Sequence, residues 1–277
     1  MHSQQNYTMT DNPSPVLIES DGPVTIVTLN RPGKRNAMNA ALITAMIETL
    51  ESLRADEHCR VVVITGAGPA FCAGMDLKEF FGQEDRTAAA RERMIQSASE
   101  WRYRLLRHFP KPTIAMVNGS CFGGGFSLVE CCDLAIADRE ANFGLSEINF
   151  RHIPAGPVSK SMASILRPRD ALLLALTGRP FDGAHAERIG LVNQAVPADQ
   201  LLAHTLALAH EIAAKDAAAL RLTKESYRYA AEMGWDASLA FTAAKSYELL
   251  ARQSSGESRD EAVRDFRVGR LKPGTPE

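Results

Sequence analysis

The stretch Cys121-Phe122-Gly123-Gly124-Gly125-Phe126-Ser127 decides how this chain is read. It follows an apolar, strand-like segment, Thr113–Val117, and the turn pair Asn118-Gly119. It precedes an apolar stretch, Leu128–Cys132, that reads as a buried helix. Consecutive glycines at a strand-to-helix junction let backbone approach a ligand closely. They also leave amide N–H groups at a helix N-terminus, where the dipole favours negative charge. Such a junction can hold a phosphate or the oxygen of a polarised carbonyl.

Outward from this run, strands and helices alternate. Val16–Glu19 and Val24–Leu29 read as a hairpin around Asp21-Gly22. Asn39 caps a helical pattern to about Arg54, with Leu42, Met46, Leu50 and Leu53 at helical spacing. Arg60–Thr65 is a β-branched run expected as a buried strand, and Gly66–Gly74 is expected as a loop. Residues 86–108 read as a polar-rich helix carrying Met94, Trp101 and Leu105. Leu134–Ala137 and Asn142–Phe143 are further extended pieces, and Pro168–Leu176 and Gly183–Ile189 are helical patterns. The alternation predicts an α/β layered fold. Residues 199–268 are helical in pattern, interrupted by a polar break at Ser254–Ser258. The expected organisation is a loose tail over 1–14, an α/β core over 15–197 and a helical region over 198–277.

The bulk composition narrows the function classes. Of 277 residues, 45% are hydrophobic and 23% charged, as in a globular protein, and the formal net charge of −2 gives no global field toward nucleic acid or an anionic membrane. No apolar run approaches the ~20 residues of a spanning helix, and the N-terminus lacks the basic start and apolar stretch of a secretory signal. The five cysteines, Cys59, Cys72, Cys121, Cys131 and Cys132, are odd in number and show no C-x-x-C. They read as reduced, buried thiols of a cytoplasmic protein. Cys121 borders the glycine run without an adjacent His or Lys to activate it.

Four segments carry the chemistry: Asn30–Met38, Thr65–Leu77, the glycine run, and Phe143-Gly144-Leu145-Ser146-Glu147-Ile148-Asn149. Each alone is a weak signal. In this order and at these separations they resemble the enoyl-CoA hydratase/isomerase (crotonase) superfamily, from about residue 15 to Gly274. The resemblance implies a spiral of β-β-α turns with a helical C-terminal region that builds a homotrimer or a dimer of trimers. It implies an acyl-CoA thioester substrate and no metal or redox cofactor, coenzyme A being part of the substrate. It places the thioester oxygen between the amides of Met75 and Gly124, where an enolate can form; preorganised donors at such a charge are worth roughly 10²–10³ in rate each. The adenine end of CoA is expected along Arg35, Ala37, Ala73, Asp76 and Leu77, largely through main-chain atoms. For Ala37 and Leu77 simple packing is the competing reading, and for Lys34 and Arg35 a solvated loop.

Hydratases of this superfamily use two glutamates. Glu147 matches one of them; at the other position this chain has Ser127, which cannot carry a carboxylate's proton-transfer role at neutral pH. Glu130 and Asp133 are near in sequence but not at that position, and are read as structural. The serine, with Ala73–Phe80, Pro112–Gly119 and Leu145–Asn149, is similar to the hydroxycinnamoyl-CoA hydratase-lyase branch. Members of that branch hydrate an aromatic enoyl-CoA and cleave the product by a retro-aldol step to an aldehyde and acetyl-CoA. One carboxylate can serve both steps. The chain differs from the branch in two places. Phe241 and Ala243 stand where the resemblance implies a tyrosine that grips the substrate from the C-terminal helices of a neighbouring subunit, with Tyr247 one helical turn away. Phe150-Arg151-His152 replaces a small residue, which adds the bulk and charge of Arg151 and a second titratable group, His152. A plain enoyl-CoA hydratase or double-bond isomerase is the alternative reading. A non-catalytic acyl-CoA or RNA-binding relative is a third, which the net charge and Glu147 disfavour.

Overall fold

The computed structural model describes residues 14–81, 87–154, 158–253 and 258–270. The hairpin forms as expected. Strand β1 (Val16–Asp21) pairs antiparallel with β2 (Val24–Leu29), with Val16 opposite Leu29 and Gly22 at φ +57° in the turn. Helix α1 (Ala40–Ala55) begins at Asn39, whose side chain accepts from the Leu42 N–H at 3.0 Å.

Three strand pairs then follow. They are β3 (Val61–Gly66) with β4 (Ala70–Cys72), β5 (Thr113–Val117) with β6 (Ser120–Phe122), and β7 (Leu134–Asp138) with β8 (Asn142–Gly144). The first strand of each pair enters a six-stranded sheet and the second a four-stranded one. With β9 (Phe181–Asp182) and β10 (Gln194–Val196), the orders are β1-β2-β3-β5-β7-β10 and β4-β6-β8-β9. The chain thus winds as a spiral, each turn adding one strand to each sheet. Between the turns lie α2 (Leu77–Phe81), α3 (Ala88–Ser99) running on into a π-helical turn at Glu100–Leu106, and α4 (Phe126–Cys131). Helices α5 (Val158–Ile165), α6 (Pro168–Thr177) and α7 (Gly183–Arg188) complete this part.

The central strands β3 and β5 of the larger sheet are buried on both faces, which explains why they are apolar without alternation. Val62, Ile64, Ala115 and Val117 point into the main core with α1, Trp101 and Phe126. Val61, Val63, Ile114 and Met116 point the other way, against Leu201, Ala209 and Ala213 of α8 (Ala198–Ala213). Helices α9 (Ala217–Ala230), α10 (Trp235–Gln253) and α11 (Ser258–Arg267) follow. Lys224 and Arg228 of α9 grip Asp133, each at 2.6 Å, and so tie α9 to the start of β7.

Several elements differ from the sequence expectation. The Gly66–Gly74 loop contains β4, and β6, β9, β10 and α5 were not anticipated. Three-residue strands are too short to show a period. The tail expected over 1–14 and the break at Ser254–Ser258 lie outside the described residues except for Ser14 and Ser258.

Candidate active site

Strands β4, β6 and β8 run parallel, with Cys72 opposite Cys121 and Phe122 opposite Gly144. The segments leaving their C-terminal ends therefore meet at one edge, the usual place for a site in a parallel sheet. Beyond β4 comes Ala73-Gly74-Met75, beyond β6 the turn Gly123–Gly125, and beyond β8 the turn Ser146–Phe150 that carries Glu147. All three contribute to one cavity of about 310 Å³. Its other walls are mostly apolar, from Leu77 and Phe80 of α2, Ile95 and Ala98 of α3, and Phe150, Ile153 and Val158.

Two amides come together there. The Met38 N–H donates to the Gly74 carbonyl at 2.7 Å and the Asp76 N–H to the Met38 carbonyl at 2.9 Å, a parallel bridge between Met38 and Met75. In such a bridge the N–H of Met75 itself points away from Met38. Gly124 lies in the first turn of a short helix, whose leading N–H groups have no internal partner. The two peptides are in near contact, since a Cβ on Gly74 would stand 2.9 Å from the Gly124 nitrogen. Only glycine fits at Gly74, which also has φ +90°.

Glu147 is half-buried and lines the same cavity. Its Oε1 lies 3.3 Å from the position of a Cβ on Gly123, and its Oε2 is buried and accepts from no described residue. Burial raises the carboxyl above its usual range, against a smaller opposing pull from its own backbone N–H. The Glu147 main-chain carbonyl accepts from the N–H groups of Arg151 and His152, which fixes the turn. Arg151 caps that turn in the left-handed region at φ +61° and is exposed outside the cavity, so the charge expected close to the site is not in its wall. His152 does line it.

Ser127 is fully buried behind the wall rather than in it. Its hydroxyl donates to the Gly124 carbonyl at 2.5 Å and accepts from Arg102 Nη1 at 2.8 Å. Arg102, from the π-helical turn, is 7% exposed and lines the cavity. The sequence reading passed over it. The available signal was its place four residues after Ala98, on the buried face of an otherwise polar helix.

The residues expected along CoA divide in two. Ala73 and Leu77 line the cavity; Arg35, Ala37 and Asp76 do not. Arg35 is exposed, with φ +49°, and its carbonyl accepts from the Ala73 N–H at 2.9 Å. The Ala37 carbonyl accepts from Arg31 Nη1, and both terminal nitrogens of Arg31 reach Asp76 Oδ2 at 3.1 Å. In this structure Asp76 binds Arg31 through its carboxylate and Met38 through its N–H, so it braces the first two segments against each other. Phe241, Ala243 and Tyr247 of α10 are not among the residues lining the cavity; Phe241 packs edge-on to Tyr229 and under Lys245. Every cysteine is buried, and burial pushes the thiols of Cys72 and Cys131 up to about 11 and 12 and that of Cys121 well above its usual value. None is a poised nucleophile at neutral pH.

The chain is similar to known proteins over nearly its whole length. A family model described as enoyl-CoA hydratase/isomerase matches residues 19–266. A hydroxycinnamoyl-CoA hydratase-lyase of Pseudomonas fluorescens is 42% identical over 261 residues, 94% of each chain. A 2,3-dehydroadipyl-CoA hydratase of Escherichia coli is 31% identical over 91% of this chain and 95% of its own. Among solved structures, an enoyl-CoA hydratase of Mycobacterium smegmatis superposes with a TM-score of 0.84 at 29% identity, covering 92% of this chain and 96% of that one. With the spiral of paired strands and one shared cavity, these matches make the chain an enzyme of the enoyl-CoA hydratase/isomerase family, with the crotonase fold.

Proposed function

We propose that this enzyme hydrates an enoyl-CoA with an aromatic or similarly bulky acyl group and cleaves the product to an aldehyde and acetyl-CoA. The observation that carries the proposal is that one carboxyl, Glu147, and two converging amides, Met75 and Gly124, share a largely apolar cavity in which Ser127 supplies no second carboxylate. The likeness to the hydratase-lyase of Pseudomonas fluorescens supports it.

In the mechanism, ionised Glu147 takes a proton from water as the water oxygen bonds to Cβ. The π electrons move to the thioester oxygen, held by the two amides. Protonated Glu147 then returns the proton to Cα. In the second stage Glu147 removes the β-hydroxyl proton, and the Cα–Cβ bond breaks as the aldehyde C=O forms. The bonding pair passes into the enolate of acetyl-CoA, and Glu147 protonates its Cα. The raised affinity of Glu147 for protons suits a group that must both take and give one. Ser127, out of reach behind Gly124, holds the glycine turn in place. CoA enters along Ala73 and Leu77, with the backbone of Arg35, Ala37 and Asp76 as the framework of that edge.

The missing hydroxyl at Phe241 and Ala243 favours a second reading, a hydratase without cleavage. Incubation with feruloyl-CoA and with crotonyl-CoA separates the two. Aldehyde and acetyl-CoA from the first supports cleavage; hydration of the second with no aldehyde from the first leaves the plain hydratase.

We also propose that the chain assembles as a trimer or a dimer of trimers through its C-terminal helices. Leu201 and Leu222 are buried within the protomer, but Trp235, Leu239 and Tyr247 on α10 are exposed at 87%, 63% and 72%. Sedimentation showing only monomer would contradict this.

A further inference from the structure

Arg102 is a buried guanidinium whose charge has no counterion among the described residues. It forms no ion pair with any described carboxylate within 4.0 Å. Its bonds go to neutral acceptors: Nε to the Ala98 carbonyl at 2.6 Å, and Nη1 to Ser127 Oγ at 2.8 Å and to the Gly124 carbonyl at 3.4 Å. Nη2 donates to no described residue. The neighbours that could oppose the charge, Glu130, Tyr103, Cys72 and Cys131, are all pushed by burial toward their neutral forms. Burial lowers the pKa of Arg102 as well, but a guanidinium starts so high that it stays protonated at neutral pH. The face of the Tyr103 ring, its centroid 5.3 Å from the guanidinium carbon, offsets part of the charge, but a buried charge without a counterion is costly unless an anion arrives to meet it.

The cavity is where an anion can arrive, and the position is specific. A Cβ on Gly124 would stand 3.2 Å from Arg102 Nη1 and 3.5 Å from the Met75 Cγ. The guanidinium is therefore at the end of the cavity where the two amides meet, while Glu147 lies against Gly123. The π-helical turn, in which the Arg107 N–H reaches back to the Arg102 carbonyl at 3.1 Å, sets Arg102 on the cavity side with Trp101 in the core.

We propose that Arg102 is an acidity-determining residue of this site: its buried charge stabilises the enolate form of a bound acyl-CoA through space, beyond what the Met75 and Gly124 amides supply. This rests on the reading of the cavity as an enolate-forming acyl-CoA site. A fixed charge in a water-poor cavity acts more strongly than in solution, and needs no reorganisation when negative charge develops.

Acetoacetyl-CoA tests it, because its enolate absorbs differently from its keto form and ionisation can be titrated while it is bound. Arg102→Gln keeps a donor for Gly124 and Ser127 but removes the charge; Arg102→Lys keeps the charge. The expected result is that bound acetoacetyl-CoA ionises at lower pH than free ligand on the wild type, that Arg102→Gln raises that pH by about one unit or more, a tenfold change in the ionisation constant, and that Arg102→Lys restores most of the shift. Should Arg102→Gln not fold, Arg102→Met takes its place with the same outcomes: a raised ionisation pH supports the proposal and an unchanged one overturns it. An unchanged ionisation in a folded, ligand-binding Arg102→Gln protein overturns the role of Arg102 and leaves the acyl-CoA reading intact. Wild type that binds no acetoacetyl-CoA overturns that reading, and this proposal with it. A switch in preference between neutral and carboxylate-bearing acyl chains, with no change in ionisation, would make Arg102 a reader of the acyl chain and also overturn the proposal.

Discussion

The Glu147 carboxylate rests against the backbone of Gly123, with Oε1 3.3 Å from where a Cβ would stand. Gly123 also has φ +51°, a conformation that side chains rarely adopt. Gly123→Ala should therefore both strain the turn and displace the carboxyl. The expected loss in kcat is about 10² or more, the scale of a mispositioned catalytic group, with thioester affinity changed far less. Steady-state kinetics beside a binding titration checks it.

The acid limb of the pH–rate profile should report Glu147. As the base that activates water it must be ionised, so kcat/KM rises as pH passes through its pKa. Burial moves that limb above the ordinary glutamate value of about 4.3. Glu147→Asp should retain an acid limb, and Glu147→Gln should have none attributable to this group. A wild-type limb at or below the ordinary value would contradict the burial argument.

Ser127→Ala removes the hydroxyl that links Gly124 to Arg102. Leaving those buried partners short of a bond should cost about 1–3 kcal/mol in stability. The rate should fall by about tenfold or less, below the 10²–10⁴ expected of a lost acid/base group. Denaturant unfolding and kcat on the same preparation distinguish a positioning hydroxyl from a catalytic one.

Glu130 gives the protein a pH-dependent weakness. It is buried on α4, neither carboxyl oxygen has a hydrogen-bond partner among the described residues, and burial raises its pKa well above the usual value. In the unfolded chain it loses its proton near pH ~4.3; in the folded chain it holds the proton to much higher pH. Between these points the folded state binds more protons, so its stability falls as pH rises. Glu130→Gln abolishes that titration. Its Tm relative to wild type should therefore improve as pH rises above the unfolded-chain value of about 4.3, and a difference that stays flat would contradict the buried, protonated assignment.

The sequence pattern reveals the long elements because they repeat a period: Leu42, Met46 and Leu50 on α1, or the β-branched run that becomes β3. It does not reveal β4 and β6, three residues each, yet these two strands bring Met75 beside Gly124. The four chemical segments were legible as motifs, and what joined them was pairing between strands distant in sequence. Ser127 shows a similar divide. Its identity was visible as the replacement of a carboxylate, but its burial against Arg102 depends on a π-helical turn that no local pattern announces. Nothing in sequence links Asp76 to Arg31, forty-five positions away, so its bracing of the first two segments was not legible. Nor does any local pattern announce that Leu201, Leu206 and Leu208 of α8 pack on the second face of the larger sheet.

The central claim is that Glu147 moves protons at the α-carbon of a thioester held as its enolate. It is tested most directly in D₂O, by following deuterium incorporation at Cα of acetyl-CoA and of a 3-hydroxyacyl-CoA by mass spectrometry, for wild type and Glu147→Gln. Wild type should exchange the α-hydrogen, and the variant should bind the thioester while exchanging at least about 10²-fold more slowly. Undiminished exchange in Glu147→Gln would contradict the account.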